Sequence, residues 1–126
     1  MKKVYCIYRD LPELHVNVTE QQAFCRALAN HLNFEISQEF FDGDMRTKDF
    51  DISIPNSLHI IHDDAQSRKF DALLAYSTKC IGREEVETPF MINYLIACGV
   101  EVHSVIEGEQ KTHELAYRIS KLASAF

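Results

Sequence analysis

Three observations predict an α/β fold, three layers deep. In it a mainly parallel sheet of four strands, or five, carries helices on both faces. The period of the apolar residues switches back and forth along the chain, and strands alternating with helices imply a parallel sheet. The run "FDALLAY" (70–76) is almost wholly apolar, as a central strand covered on both sides requires. A length of 126 residues suits one domain spanning 1–126, with about two-thirds of its unfolded surface buried in a single core.

Each element has its own signal. "VYCIY" (4–8) is a short β-rich run and reads as the first strand. Thr19 and Gln22 have capping-box spacing, so a helix is expected to open there, with Phe24, Ala27, Leu28 and Leu32 at helical intervals. "FEISQEFF" (34–41) reads as a second strand, and "GDMRTKDFD" after it as a polar loop. Pro55 suits the first turn of a second helix that carries Leu58, Ile61 and Ala65 on one face. After the 70–76 strand, Thr88 and Pro89 read as cap and first helical residue, and Met91, Tyr94, Leu95 and Cys98 as the stripe. Gly99 closes that helix and "VEVHSVI" (100–106) follows as a strand. Leu115, Ile119, Leu122 and Phe126 mark a last helix.

Composition narrows the function classes. Hydrophobic residues at 46% and charged residues at 25% are ordinary for a soluble globular domain. Thirteen Lys and Arg against nineteen Asp and Glu give a net charge of -6, so the chain alone is expected to bind DNA weakly. No apolar run reaches the roughly eighteen residues of a membrane span, and the N-terminus has no signal-peptide pattern. The expected location is cytoplasmic, with no membrane partner. Cys6, Cys25, Cys80 and Cys98 include no C-x-x-C pair, so they read as buried free thiols rather than a zinc ribbon or redox motif. His59 and His62 in "HIIHDD" (59–64) stand one helical turn apart, but no third ligand accompanies them in the sequence. No metal and no cofactor are therefore expected.

The order of the pieces resembles the N-terminal catalytic domain of the serine site-specific recombinases, the resolvase and invertase family. That family has a first strand ending Y-x-R-V-S, a helix bearing a glutamine, and a second strand ending in aspartate. An R-P-x-L turn, G-K-F-D before an apolar strand, D-R-L-G-R, and G-V-x-x-x-S-L-x-E follow. Here "IYRDL" (7–11), "EQQ" (20–22), "FFDGD" (40–44), "IPNSL" (54–58), "RKFDALLAY" (68–76), "STKCIGR" (77–83) and "ACGVEVHSVIEG" (97–108) stand in the same order. The similarity runs through nearly the whole chain. It implies DNA strand exchange by a serine that attacks a phosphodiester, beside arginines that stabilise the charged phosphoryl group. Arginine suits that role because its planar fork offers paired donors and stays charged.

Carried over residue by residue, Arg9, Asp42 and Arg83 match catalytic positions, and Arg9, Gln22, Lys79 and Arg83 become candidate contacts to DNA phosphate. The departures are as informative as the matches. Leu11 occupies the position of the nucleophilic serine, and no Ser, Thr or Cys lies between residues 7 and 18. Lys79 and Cys80 replace the Asp-Arg pair, Ile54 replaces the arginine before Pro55, and Met45 lies near a loop position where a serine is expected. A leucine has no lone pair that a base could activate. The resemblance thus implies a recombinase-type domain that does not cleave DNA and has no separate DNA-binding domain.

Each candidate also has a plainer reading. Arg9, Arg83 and Lys79 can be solvated strand-end cations, Gln22 a helix cap, Asp42 a turn former before Gly43, and Cys80 an inert thiol. A receiver-like regulatory or protein-interaction module is the rival class. Only Asp10 represents the acidic cluster a receiver needs, and the third strand ends in Ser77-Thr78 with no aspartate. Four scattered glycines form neither G-x-G-x-x-G nor a P-loop, which removes the usual nucleotide sites. The resemblance implies a homodimer through the helix of Leu115, Ile119, Leu122 and Phe126. The same stripe is equally consistent with packing back on the chain's own sheet.

Overall fold

The computed structural model describes residues 1–42, 57–82 and 87–112. The elements run β1 (Lys2–Arg9), α1 (Val18–His31), β2 (Phe34–Asp42), α2 (Ser57–Gln66), β3 (Ala72–Ala75), α3 (Glu87–Ala97), β4 (Glu101–Ser104) and β5 (Gly108–Gln110). Short 3-10 turns follow β1 at Pro12–Leu14 and β3 at Thr78–Ile81. The sheet order is β2-β1-β3-β4-β5. The pairs β1–β2, β1–β3 and β3–β4 are parallel, and β4–β5 is antiparallel.

The alternation of side chains along the central strands divides the core in two. Tyr5, Ile7, Leu73 and Ala75 face one side, where Leu58, Ile61 and Ala65 of α2 and Ile92 and Leu95 of α3 cover them. Val4, Cys6, Tyr8, Ala72 and Leu74 face the other, under Cys25 and Ala29 of α1. Helices therefore lie on both faces of a five-stranded sheet. All four residues of β3 are buried, as its apolar run predicts. The fifth strand is the short β5, whose "GEQ" carries no apolar residue and so no periodic signal.

Edge strand β2 contains a bulge. Its register against β1 shifts between Val4 and Tyr5, skipping Ser37, whose hydroxyl donates to Val4 O at 3.2 Å. One extra residue exchanges the faces of everything beyond it. Phe34 and Ile36, before the bulge, pack toward α1, whereas Phe40, beyond it, packs on the α2 and α3 side.

The helix signals need three corrections. Helix α1 starts at Val18 and its cap lies two residues before Thr19: Asn17 is the cap, its side chain accepting from Glu20 N at 2.8 Å, and Glu20 completes the capping box. The buried face of α1 is Gln21, Cys25 and Ala29, a step of four, while Phe24 is 48% exposed. Helix α3 begins at Glu87, which puts Thr88 and Pro89 inside its first turn, where proline costs no intrahelical bond. The C-terminal end of α3 is as expected: Gly99 adopts φ 87°, and Val100 N donates back to Leu95 O at 2.9 Å.

Candidate functional site

In a parallel α/β sheet, functional groups collect beyond the carboxyl ends of the strands. Arg9 ends β1 and Asp42 ends β2, and the two are register partners. Arg9 is 2% exposed, an extreme burial for a side chain that cannot lose its charge. Its Nη1 donates to Gly82 O, in the connection after β3. Its backbone is held as firmly: Arg9 N donates to Gln21 Oε1 at 3.1 Å, and Gln21 Nε2 donates to Arg9 O at 2.7 Å and to Val16 O at 3.1 Å. Asp42, turned toward α2 beyond the β2 bulge, accepts from Ser57 Oγ at the first residue of that helix. Two buried atoms at this mouth, Arg9 Nε and Asp42 Oδ2, have no hydrogen-bond partner among the described residues.

Leu11 sits just past this mouth at 7% exposure. It joins the apolar cluster of Phe40, Leu58, Cys80 and Ile81. The side chain at the expected nucleophile position is therefore a core residue. Cys80 is fully buried, and burial pushes its thiol above the usual range, with the Ser77 backbone and the Arg9 charge pulling only partly the other way. An inert thiol is the result, not an activated one. Lys79 is exposed in the turn after β3.

Ser77, the hydroxyl at the end of β3, is committed to structure. It is 1% exposed, donates to Glu107 Oε1 at 3.0 Å, and accepts from Lys79 N at 3.2 Å. Glu107 also accepts from Thr78 N at 3.2 Å and from Ser104 Oγ. Burial opposes ionisation of Glu107, but the hydrogen bonds from Ser104, Thr78 and Ser77 prevail and hold its carboxyl below the ordinary value.

The glutamine at the mouth is Gln21. Gln22 points instead to Glu39, at 3.3 Å from each carboxylate oxygen, where Tyr8 and Arg26 also bond. The signal that finds Gln21 is its four-residue spacing from Cys25 and Ala29, which places one amide on the buried face of a helix. His59 and His62 each meet Asp63 at 3.4 Å, and His62 stacks on Tyr94 with ring centroids 3.9 Å apart. Arg83, Met45, Ile54 and Pro55 lie outside the described residues, as do Leu115, Ile119, Leu122 and Phe126. Among the described residues no helix is long and apolar enough to cross a membrane.

Solved structures share this architecture. The N-terminal catalytic domain of TP901-1 integrase superposes with a TM-score of 0.69 at 17% identity, over 98% of this chain and 92% of that one. A resolvase family site-specific recombinase from Streptococcus pneumoniae gives 0.68 at 18% identity, over 99% and 87%. The fold is that of the serine recombinase catalytic domains. The C-terminal catalytic domain of ISC1926 TnpA, an IS607-like serine recombinase, aligns at 0.63 and 13% identity, over 98% and 82%. No protein-family model matches the sequence, and no curated protein matches it significantly. At these identities the shared property is the backbone, which sets Arg9, Gln21 and Asp42 at the strand mouth of a recombinase-type fold.

Proposed function

We propose that this chain is a serine-recombinase-type domain that contacts DNA phosphate through its strand mouth but does not cleave the DNA. The observation that carries this reading is the pairing of a buried, incompletely bonded Arg9 with a core-packed Leu11 two residues on. A guanidinium whose Nε–H has no partner among the described residues is a phosphate ligand in waiting, because charge-assisted contacts to phosphate are the ones its fork is shaped for. Leu11 supplies no nucleophile, and the hydroxyl of Ser77 is engaged on both sides. Asp42 contributes by fixing Ser57 and thereby the start of α2 against the mouth. Exposed Lys79 is a second phosphate contact, standing near the missing arginine position at Cys80. Such a domain would accompany or regulate an active recombinase, and a dimer formed through Leu115, Ile119, Leu122 and Phe126 would give it the means.

Fluorescence anisotropy with a labelled duplex tests the DNA contact. With a net charge of -6, binding is expected at the weak end of the roughly 10⁻⁴ to 10⁻⁶ M range of non-specific complexes, falling as salt rises. Lys79→Ala should weaken it further and flatten the salt dependence. Absence of any binding at low ionic strength would remove the DNA role.

A further inference from the structure

We propose that Glu101, His103 and Glu109 form a site for one divalent transition cation of the zinc class, at the opposite end of the sheet from Arg9. Glu101 and His103 are two apart on β4 and so share a face. Glu109 on β5 lies directly opposite His103 in the antiparallel register. The topology of one hairpin therefore gathers an imidazole and two carboxylates from residues spanning only nine positions. One ligand atom from each residue lies within 4.8 Å of the other two.

The histidine makes this more than a patch of acidic surface. The His103 side chain is only 10% exposed, and its Nε2 points at Glu101 Oε1 3.4 Å away. The edge-to-face contact with the Phe34 ring, centroids 5.6 Å apart at 67°, fixes the imidazole plane. Bonds of about 2.0–2.1 Å in a tetrahedral zinc site put ligand atoms about 3.3 Å apart. The Glu101–His103 pair already has that separation, and Glu109 needs only a side-chain rotation on the exposed edge strand to complete it. A nitrogen with two carboxylates suits zinc or a neighbouring transition metal better than magnesium or calcium, which take all-oxygen shells. Water would fill the fourth position, since β5 is the sheet edge.

Two lysines act as counter-ions in the metal-free protein. Lys2 Nζ bonds Glu101 Oε2, and Lys111 Nζ lies 2.7 Å from Glu109 Oε2. Their side chains are 52% and 82% exposed, so both ammonium groups can swing into solvent when a cation arrives. The bound metal would cross-link β4 to β5.

Calorimetric titration of the chelator-treated chain with zinc chloride, and visible spectroscopy with cobalt(II), test the site. One equivalent should bind, cobalt should give the absorption of a tetrahedral complex, and zinc should raise the melting temperature. Glu109→Gln, at an exposed position that leaves the fold intact, should weaken binding by more than the roughly 10–100-fold that loss of an outer-shell partner causes. His103→Ala should do the same, and Lys2→Met should tighten binding by removing a competitor. His62→Ala, on the surface of α2, should change nothing. No zinc binding, undiminished binding in Glu109→Gln, or binding abolished by His62→Ala would each overturn the proposal.

Discussion

Gln21 closes a hydrogen-bonded ring on the backbone of Arg9. Its Oε1 accepts from Arg9 N at 3.1 Å while its Nε2 donates to Arg9 O at 2.7 Å. At the end of β1 an amide side chain thus does for Arg9 what a neighbouring strand would do, and it fixes where the guanidinium starts from. The amide is fully buried, so water cannot replace it.

Gln21→Ala should therefore destabilise the protein by at least about 2 kcal/mol, because backbone groups of Arg9 and Val16 lose their partner in a buried place. Gln22→Ala, which removes only a partly exposed contact to Glu39, should cost well under that. Urea unfolding of the two variants side by side distinguishes them, and equal losses would contradict this placement of the helix.

Gly82 has a steric duty. A Cβ added there would stand 2.6 Å from Thr88 Oγ1 and 2.9 Å from Thr88 N. Backbone must move to admit it, and the carbonyl that holds Arg9 moves with it. Gly82→Ala should cost about 1–3 kcal/mol as an overpacking change. Thermal denaturation is the check, and an unchanged melting temperature would mean that the connection is looser than described.

Acid should weaken the fold through carboxylates whose folded pKa is depressed. The Arg26 guanidinium, bonded to both Glu39 oxygens, lowers that carboxyl to about 2 against burial, with help from Tyr8 and Gln22. A lowered folded value contributes stability that is complete above the ordinary value of 4.5 and is lost as the pH falls toward 2. Glu107 has the same sign. Glu39→Gln should flatten the dependence of the urea midpoint on pH between those two values. An acid limb identical to that of the unaltered protein would count against the Glu39–Arg26 clamp.

The thiols should divide into two classes. Cys6, Cys25 and Cys80 are fully buried, and desolvation raises all three, Cys6 to about 11. Cys98 is half-buried. In the native protein an aromatic disulfide reagent should label Cys98 first and the others only on unfolding. Fast labelling of Cys80 would mean that its pocket at the strand mouth opens.

How much of this was legible in the sequence follows from what each residue type can signal. The central strands announced themselves because their burial leaves nothing but apolar residues, as in Ala72–Ala75. The stripe Leu58, Ile61 and Ala65 was read correctly for the same reason. The face of α1 was not, because Gln21 and Cys25 are polar or small while the exposed Phe24 is large and apolar. The cap of α1 was read two residues late because Thr19 and Gln22 also have capping-box spacing, whereas the box that forms is Asn17–Glu20. The bulge at Ser37 has no sequence signature, yet it decides that Asp42 faces Ser57. Glu101, His103 and Glu109 went unseen because antiparallel pairing across a tight turn, not spacing, brings them together.

Denaturing electrophoresis after incubation with DNA tests the central claim most directly. The purified chain would be mixed with supercoiled plasmid and with a pool of randomised duplexes, then stopped in detergent to preserve any protein–DNA bond. Leu11 cannot attack phosphorus, and a missing charge-assisted contact at Cys80, worth about 1.5–3 kcal/mol, would slow the step by roughly ten- to a hundredfold even with a substitute nucleophile. The expected result is no covalent adduct and no nicking on either substrate. A shifted band whose attachment maps to any residue of this chain, Ser77 first among them, would contradict it.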